Sequence, residues 1–317
     1  MSSKSKLNNV FMYLPMHIVS AVKAIPDYEQ NEIQEIRLRL GRKLTVRAYS
    51  KEYYLLQNGT LSNSPEKACE VTADDIQYVF RHALQESVHS YKREITQGYV
   101  TVNGGCRIGF CGSAVLDPRK AYSIENIKEI SSINIRIACE ITGCGDDLFG
   151  YACSAASGLL IAGAPSSGKT TVLRDLARQI GDSFSTSLID ERNEIASVFD
   201  SIPQNDIGLK TDVFTAYNKY EGIMTAIKVM SPIYLICDEI GSSEDLKALR
   251  YALNSGVKLI ATCHCTSLEE LYKKPVIKKL IKLKAFDRVV LLGTGTNCGK
   301  VISQRILSKT EREEARC

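Results

Sequence analysis

Two rhythms of apolar residues divide the chain. In the first half they fall in short runs cut by turn residues. From Pro15 onward, Ile18, Val22 and Ile25 sit at helical spacing with Pro15 near the start, so a helix is expected there. Residues 35–47 alternate apolar and basic side chains around Gly41, the pattern of two short strands meeting at a turn. Residues 72–84 open with Thr72, a suitable N-cap, and carry Ile76, Val79 and Phe80 on one helical face. Asn103 and Gly104 separate two strand-like runs within residues 98–115, a hairpin signal. These elements suggest a small α+β domain, assigned to residues 1–145.

After a Gly-rich, acidic stretch at 143–150 the rhythm changes. Apolar runs at 158–164, 185–190, 233–239 and 257–264 alternate with helical patterns at 169–180 and 244–254. Short β-rich runs separated by amphipathic helices predict an α/β fold, a mainly parallel sheet covered on both faces. This second domain is assigned to residues 146–317.

The chemistry begins at the first of these strands. Gly163, Ala164, Pro165, Ser166, Ser167, Gly168, Lys169 and Thr170 fit the pattern GxxxxGK[ST], with Thr171 following. The motif occurs by chance in unrelated chains, so its context decides. Here a buried-strand pattern precedes it, and Leu173, Leu176, Ala177 and Ile180 follow at helical spacing. Glycines let the loop wrap phosphate with its N–H groups inward, and the helix N-terminus adds positive potential. ATP with Mg²⁺ is the expected ligand. Lys169 would bridge the β- and γ-phosphates, and the Thr170 hydroxyl would ligate the metal. The plain alternative is a Gly-rich turn between a strand and a helix.

Hydrolysis also needs acids. The apolar run 233–237 ends in Asp238 and Glu239, suited to the Mg²⁺ hydration shell and to polarising the attacking water, respectively. A further strand ends in Asp190, Glu191 and Arg192, with Glu194 close behind. The C-terminal ends of parallel strands share one rim. Asp190 and Glu191 are therefore expected at the metal or the water, and Arg192 at a phosphate. A solvated strand end with local ion pairs is the alternative. His264 ends the next strand, where it would sense the γ-phosphate or water or serve only structure.

Composition narrows the setting. The 317 residues suffice for two domains, and 44% hydrophobic with 24% charged residues describes a folded, soluble chain. The net charge of +4 does not call for nucleic acid. No apolar stretch is long enough to cross a bilayer, and the first residues are too polar for a secretory signal. A cytoplasmic protein is expected. Eleven cysteines, scattered from Cys69 to Cys317 with no CxxC pair, suggest reduced and mostly buried thiols. Cys263, His264 and Cys265 alternate across a strand and do not converge readily on one metal.

With these residues in place, the sequence resembles the stage III sporulation protein AA family, within the wider group of type II, type IV and pilus-motor secretion ATPases. The resemblance runs through EIRLRLGR at 35–42, QGYVTVNGG and RIGFCGSAV, and SSINIRIA at 131–138. In the second half it runs through GAPSSGKTTVLRDLAR, IDERNEIAS, GLKTDVFTAYNKYEGI, MSPIYLICDEIG and LIATCHC. DERNEI is similar to the acidic box of secretion ATPases, and ATCH to their histidine box. The resemblance implies a RecA-like P-loop core that hydrolyses ATP in a homo-oligomeric ring, with a hexamer expected. It also implies recruitment to the inner face of a membrane by the components of a secretion-like sporulation channel. In related motors, arginines of the N-terminal domain reach a neighbour's nucleotide, which makes Arg107 and Arg136 candidates, with local carboxylates the alternative. The sequence departs from the pattern in lacking a tetracysteine zinc insertion and in its short N-terminal domain.

Three further readings stay open. A nucleic-acid motor would use the basic run 273–284, KKPVIKKLIKLK, though a solvated helix face with its apolar stripe in the core explains that run better and no nucleic-acid motif accompanies it. A scaffold that binds ATP without turnover would have no need of Glu239. A small-molecule kinase is weaker still, with no lid or acceptor pocket in view.

Overall fold

The computed structural model describes residues 3–85, 92–116 and 124–307. It divides into two compact units, residues 1–140 with 199–204, and residues 141–198 with 205–317.

The first unit opens with helices α1 (Ser3–Val10), α2 (Met16–Lys23) and α3 (Asp27–Gln30). Strands β1 (Ile33–Arg39), β2 (Thr45–Ala48), β3 (Lys51–Leu55) and β4 (Leu61–Ser62) follow, then α4 (Ala73–Ala83) and α5 (Lys92–Gln97). Strands β5 (Tyr99–Thr101), β6 (Arg107–Leu116) and β7 (Ile124–Arg136) complete it. The seven strands form one antiparallel sheet in the order β4-β3-β2-β1-β7-β6-β5. Register follows from alternation: Ile36 lies opposite both Val46 and Ile135, and Leu38 opposite Ile133, all in one core with Ile18, Val22 and Val79. The Thr72 side chain accepts the Asp75 N–H while the Asp75 carboxylate accepts the Thr72 N–H, a reciprocal cap that starts α4 where the sequence predicts. The β5–β6 hairpin forms, but its turn is longer than the two residues expected. Val102 and Cys106 close it by a hydrogen bond of 2.8 Å, with Gly104 and Gly105 both at positive φ between them.

The second unit contains α6 (Asp146–Ser154), β8 (Gly158–Gly163), α7 (Lys169–Ser183), β9 (Thr186–Asp190), β10 (Thr211–Thr215) and α8 (Lys219–Val229). It continues through β11 (Tyr234–Cys237), α9 (Ser243–Asn254), β12 (Lys258–His264), α10 (Leu268–Lys273), α11 (Pro275–Lys282), β13 (Arg288–Leu292) and β14 (Val301–Ile306). The sheet order is β10-β9-β11-β12-β8-β13-β14, parallel except for β14. Its central strands are buried on both faces: Leu159 and Ile161 pack against α6 and α7, Leu235 and Leu259 against α8, α9 and α11. The basic run proves amphipathic in this way. Ile277, Leu280 and Ile281 of α11 are buried, and Lys279 and Lys282 are exposed.

The thiols differ from the sequence reading. Ten cysteines among the described residues are free, but only Cys69, Cys106, Cys237, Cys263 and Cys265 are buried, while Cys111, Cys139 and Cys298 are exposed. Cys317 lies outside the described residues. Among the described residues, no helix is long and apolar enough to cross a membrane.

The α7 stripe anchors the loop that precedes it, since Leu173, Leu176, Ala177 and Ile180 are fully buried. Leu176→Ala is expected to cost about 2–5 kcal/mol through lost packing and the cavity left behind. A lowered urea midpoint at unchanged slope is the expected outcome, and an unchanged midpoint would show that α7 is not held by this face.

Candidate functional site

Strand β8 is buried along its whole length and ends at Gly163, and α7 begins at Lys169. The segment between them turns back sharply. A Cβ on Gly163 would stand 2.3 Å from Ser167 Oγ, so a larger residue there would force the Ser167 side chain to move. Gly168, at φ +84°, turns the chain into α7. The loop is also held from outside: the Gly299 N–H donates to the Ser167 carbonyl at 2.9 Å, and the Cys298 thiol to the Ser166 carbonyl at 3.4 Å. Ala164, Pro165 and Ser166 stay open to solvent in whole or part, and Thr171 is half-buried.

Lys169 is 7% exposed and lies folded over the loop, its Nζ donating to the carbonyls of Gly163 at 2.9 Å and Ala164 at 2.8 Å. Burial holds its ammonium below the usual lysine range, and the nearby Asp238 carboxylate works against that shift. The Thr170 hydroxyl donates to Asp238 Oδ2 at 2.9 Å. This contact spans the sheet, because β12 lies between β8 and β11. Thr262, fully buried on β12, fills the gap: its hydroxyl donates to Asp238 Oδ1 and accepts the Glu239 N–H at 2.8 Å.

The rim brings most of the remaining candidates together. Glu239 Oε2 meets Arg192 Nη1 at 2.7 Å, and Oε1 meets His264 Nε2 at 2.8 Å. A cleft of about 880 Å³ opens beside them, lined among others by Glu191, Glu194, Lys219 and Glu221. Glu191 is exposed on its wall.

Asp190 departs from the expected metal-side position. It is 3% exposed, and its carboxylate accepts the N–H groups of Glu194, Ile195 and Ala196 at 2.8, 2.9 and 2.8 Å. It thereby shapes the loop that carries Arg192. In the first unit, Arg107 and Arg136 face each other across β6 and β7. Arg136 Nε lies 3.7 Å from Glu35 and Arg107 5.0 Å from the Tyr99 ring centre.

The residues present suit Mg-ATP. Thr170 and Asp238 supply hard oxygen donors of the kind Mg²⁺ takes. The N-terminal end of α7 and the Lys169 ammonium suit a phosphate chain. The Ser167 hydroxyl, buried beside Gly163, has no hydrogen-bond partner among the described residues.

A mainly parallel sheet with helices on both faces, and a glycine-rich loop between a buried strand and a helix, is the RecA-like P-loop fold of the secretion ATPases. The fold is similar to that of the pilus retraction motor PilT with bound ADP, at TM-score 0.61 and 14% identity over 94% of this chain and 84% of that one. It is also similar to the Legionella pneumophila ATPase DotB, at TM-score 0.55 and 12% identity over 89% and 79%. The chain belongs to the family described as "Sporulation stage III, protein AA", which matches residues 4–310. It is 34% identical over 302 residues to the stage III sporulation protein AA of Bacillus subtilis (strain 168), covering 93% of this chain and 94% of that protein.

Sequence reasoning missed Thr262 and Lys219. Thr262 stands within ATCH and Lys219 within GLKTDVFTAYNKYEGI, but nothing in either stretch gave these two residues a role.

The thiols around the loop differ in burial, Cys298 being exposed and Cys237 and Cys263 buried. Burial pushes the Cys237 thiol up to about 12, and a hydrogen bond with Cys265, together with burial, pushes Cys263 up as well. In the folded chain at about pH 8, alkylation of Cys298 is expected to be fast and of Cys237 and Cys263 negligible. Saturating Mg-ATP should slow the labelling of Cys298. Peptide mass spectrometry checks both points, and equal labelling of Cys237 and Cys298 would contradict the packing described.

Proposed function

We propose that this chain is a Mg-ATP-hydrolysing motor ATPase that energises a secretion-like channel between two cells during spore formation. The observation that carries the catalytic part is the Thr170–Asp238 hydrogen bond. It joins the phosphate loop to the strand end that bears Glu239. The sporulation role is supported by the family and by the named Bacillus relative, and the motor role by the likeness in fold to PilT and DotB.

In this reading, the backbone N–H groups of the loop and the Lys169 ammonium bind the β- and γ-phosphates, with Gly163 to Thr171 forming the cradle. The lysine gives up its bonds to the Gly163 and Ala164 carbonyls for stronger ones to phosphate, in which both partners are charged. Mg²⁺ supplies Lewis-acid stabilisation of charge on the phosphate oxygens. Thr170 would ligate the metal and Asp238 would hold its hydration shell. Glu239 orients the attacking water and draws its proton toward the carboxylate. Its two oxygens are engaged by Arg192 and His264 in the structure described. Releasing them is therefore part of reaching the reactive arrangement, which makes those two residues sensors of the γ-phosphate. Asp190 and Glu191 serve behind them, Asp190 by fixing the 194–196 backbone.

The protein would work in the cytoplasm as a homo-oligomeric ring, a hexamer by analogy, recruited to the membrane by the channel's own components. Arg107 and Arg136 would reach the nucleotide of the neighbouring subunit. Nucleic acid is not part of this reading, since no nucleic-acid motif accompanies the basic run that forms α11.

Two variants test it. Lys169→Ala is expected to weaken ATP binding about tenfold or more, the equivalent of roughly 1.4 kcal/mol, in a titration with a fluorescent ATP analogue. Glu239→Gln is expected to keep binding and lose phosphate release. Tight binding by the first variant, or normal turnover by the second, overturns the assignments.

A further inference from the structure

Glu239 occupies an unusual backbone position. Its φ is +54°, in the left-handed region that side chains rarely adopt. Such a conformation persists only where the surroundings hold it. Both of its peptide groups are held by side chains. Its N–H donates to Thr262 Oγ1 at 2.8 Å, and its carbonyl accepts from Lys219 Nζ at 2.7 Å.

Lys219 is well placed for this. It is the first residue of α8, directly after Asn218, whose side chain caps the helix by accepting the Glu221 N–H at 2.8 Å. Its side chain is only 12% exposed, and its Nζ lies 3.8 Å from Asp245 Oδ1. Asp245 is itself fixed: its Oδ2 accepts the N–H groups of Gly241 and Ser242, each at 2.9 Å. The Ser242 hydroxyl accepts the Asp245 N–H at 3.0 Å, which completes the cap of α9. Lys219 thus stands between the buried Asp245 carboxylate and a backbone carbonyl that accepts its hydrogen bond. The two helix starts, α8 and α9, fix the short turn that leaves β11.

We infer that Lys219 is the positioning residue of this site: it locks the left-handed turn at Glu239 and so fixes the direction from which the carboxylate approaches water. The inference rests on the reading of Glu239 as the water-orienting carboxylate. Lys219 touches the Glu239 carbonyl and the Asp245 carboxylate, and it stands at the start of α8, whereas the phosphate loop leads into α7. Its loss therefore acts on the chemical step rather than on nucleotide affinity. Displacing a reacting group by about an ångström can cost on the order of 100-fold in rate.

The test is a cycle of variants in the full chain, read by steady-state ATP turnover and by nucleotide affinity. Lys219→Met is expected to lower kcat about 10- to 100-fold while KM and ADP affinity stay within about twofold, and Lys219→Arg should recover most of the rate. In a Glu239→Gln background, Lys219→Met should cause no further loss, because residues that act through one group are not additive. Wild-type kcat in Lys219→Met, a parallel loss of affinity, or an additive loss beside Glu239→Gln would sink the inference. Normal turnover by Glu239→Gln alone would instead overturn the underlying reading. Hydrogen exchange gives a measure independent of turnover. Lys219→Met should speed exchange in peptides covering residues 238–242 and leave the phosphate loop unchanged, and unchanged exchange at 238–242 contradicts the lock. If Lys219→Met shows no cooperative thermal transition, Lys219→Gln decides by the same criteria.

Discussion

The hydrogen bond from the Thr170 hydroxyl to Asp238 joins two parts of the sequence that are far apart, the phosphate loop and the acidic strand end. Strand order makes that bond reachable. Because β12 lies between β8 and β11, the loop after β8 and the pair after β11 are separated by one intervening strand on the same rim. Thr262 on that middle strand then binds Asp238 and the Glu239 N–H together. A threonine suits this place. Its hydroxyl donates in one direction and accepts in the other, and its branched side chain fits a buried strand. The rest of the second unit supports this rim: buried apolar runs align the strand ends, and the α7 stripe holds the loop.

Charge on the rim is arranged in opposed layers. Asp238 faces the loop and the Lys169 ammonium, while Glu239 faces Arg192 and His264. Asp190 and Asp245, both buried, are each satisfied by backbone N–H groups. Buried carboxylates without such donors would be costly. These two build the turns that carry Arg192 and the end of β11, while Asp238 and Glu239 line the cleft.

Much of this was legible in the sequence because local patterns dictated it. The phosphate loop, its strand and its helix follow from glycine spacing and apolar period, and the Thr72 cap marks the start of α4. The role of Asp190 was not legible. A carboxylate at a strand end reads as a rim acid whether it points at a ligand or folds back on its own loop, and only the path of residues 191–196 separates the two. Lys219 was hidden for a related reason. Its partner is a backbone carbonyl twenty residues along the chain, and a carbonyl leaves no mark in a side-chain pattern. The hairpin turn at Val102–Cys106 exceeded the expected two residues because a second glycine at positive φ extends it.

The most direct test of the central claim is phosphate release from ATP by the purified full chain, followed over a range of protein concentrations with Mg²⁺ and with a chelator. Release that requires Mg²⁺ and rises per subunit with concentration is the predicted result for a motor whose sites work within a ring. Release indifferent to Mg²⁺, or none at any concentration despite tight ATP binding, would contradict it and leave a nucleotide-dependent scaffold.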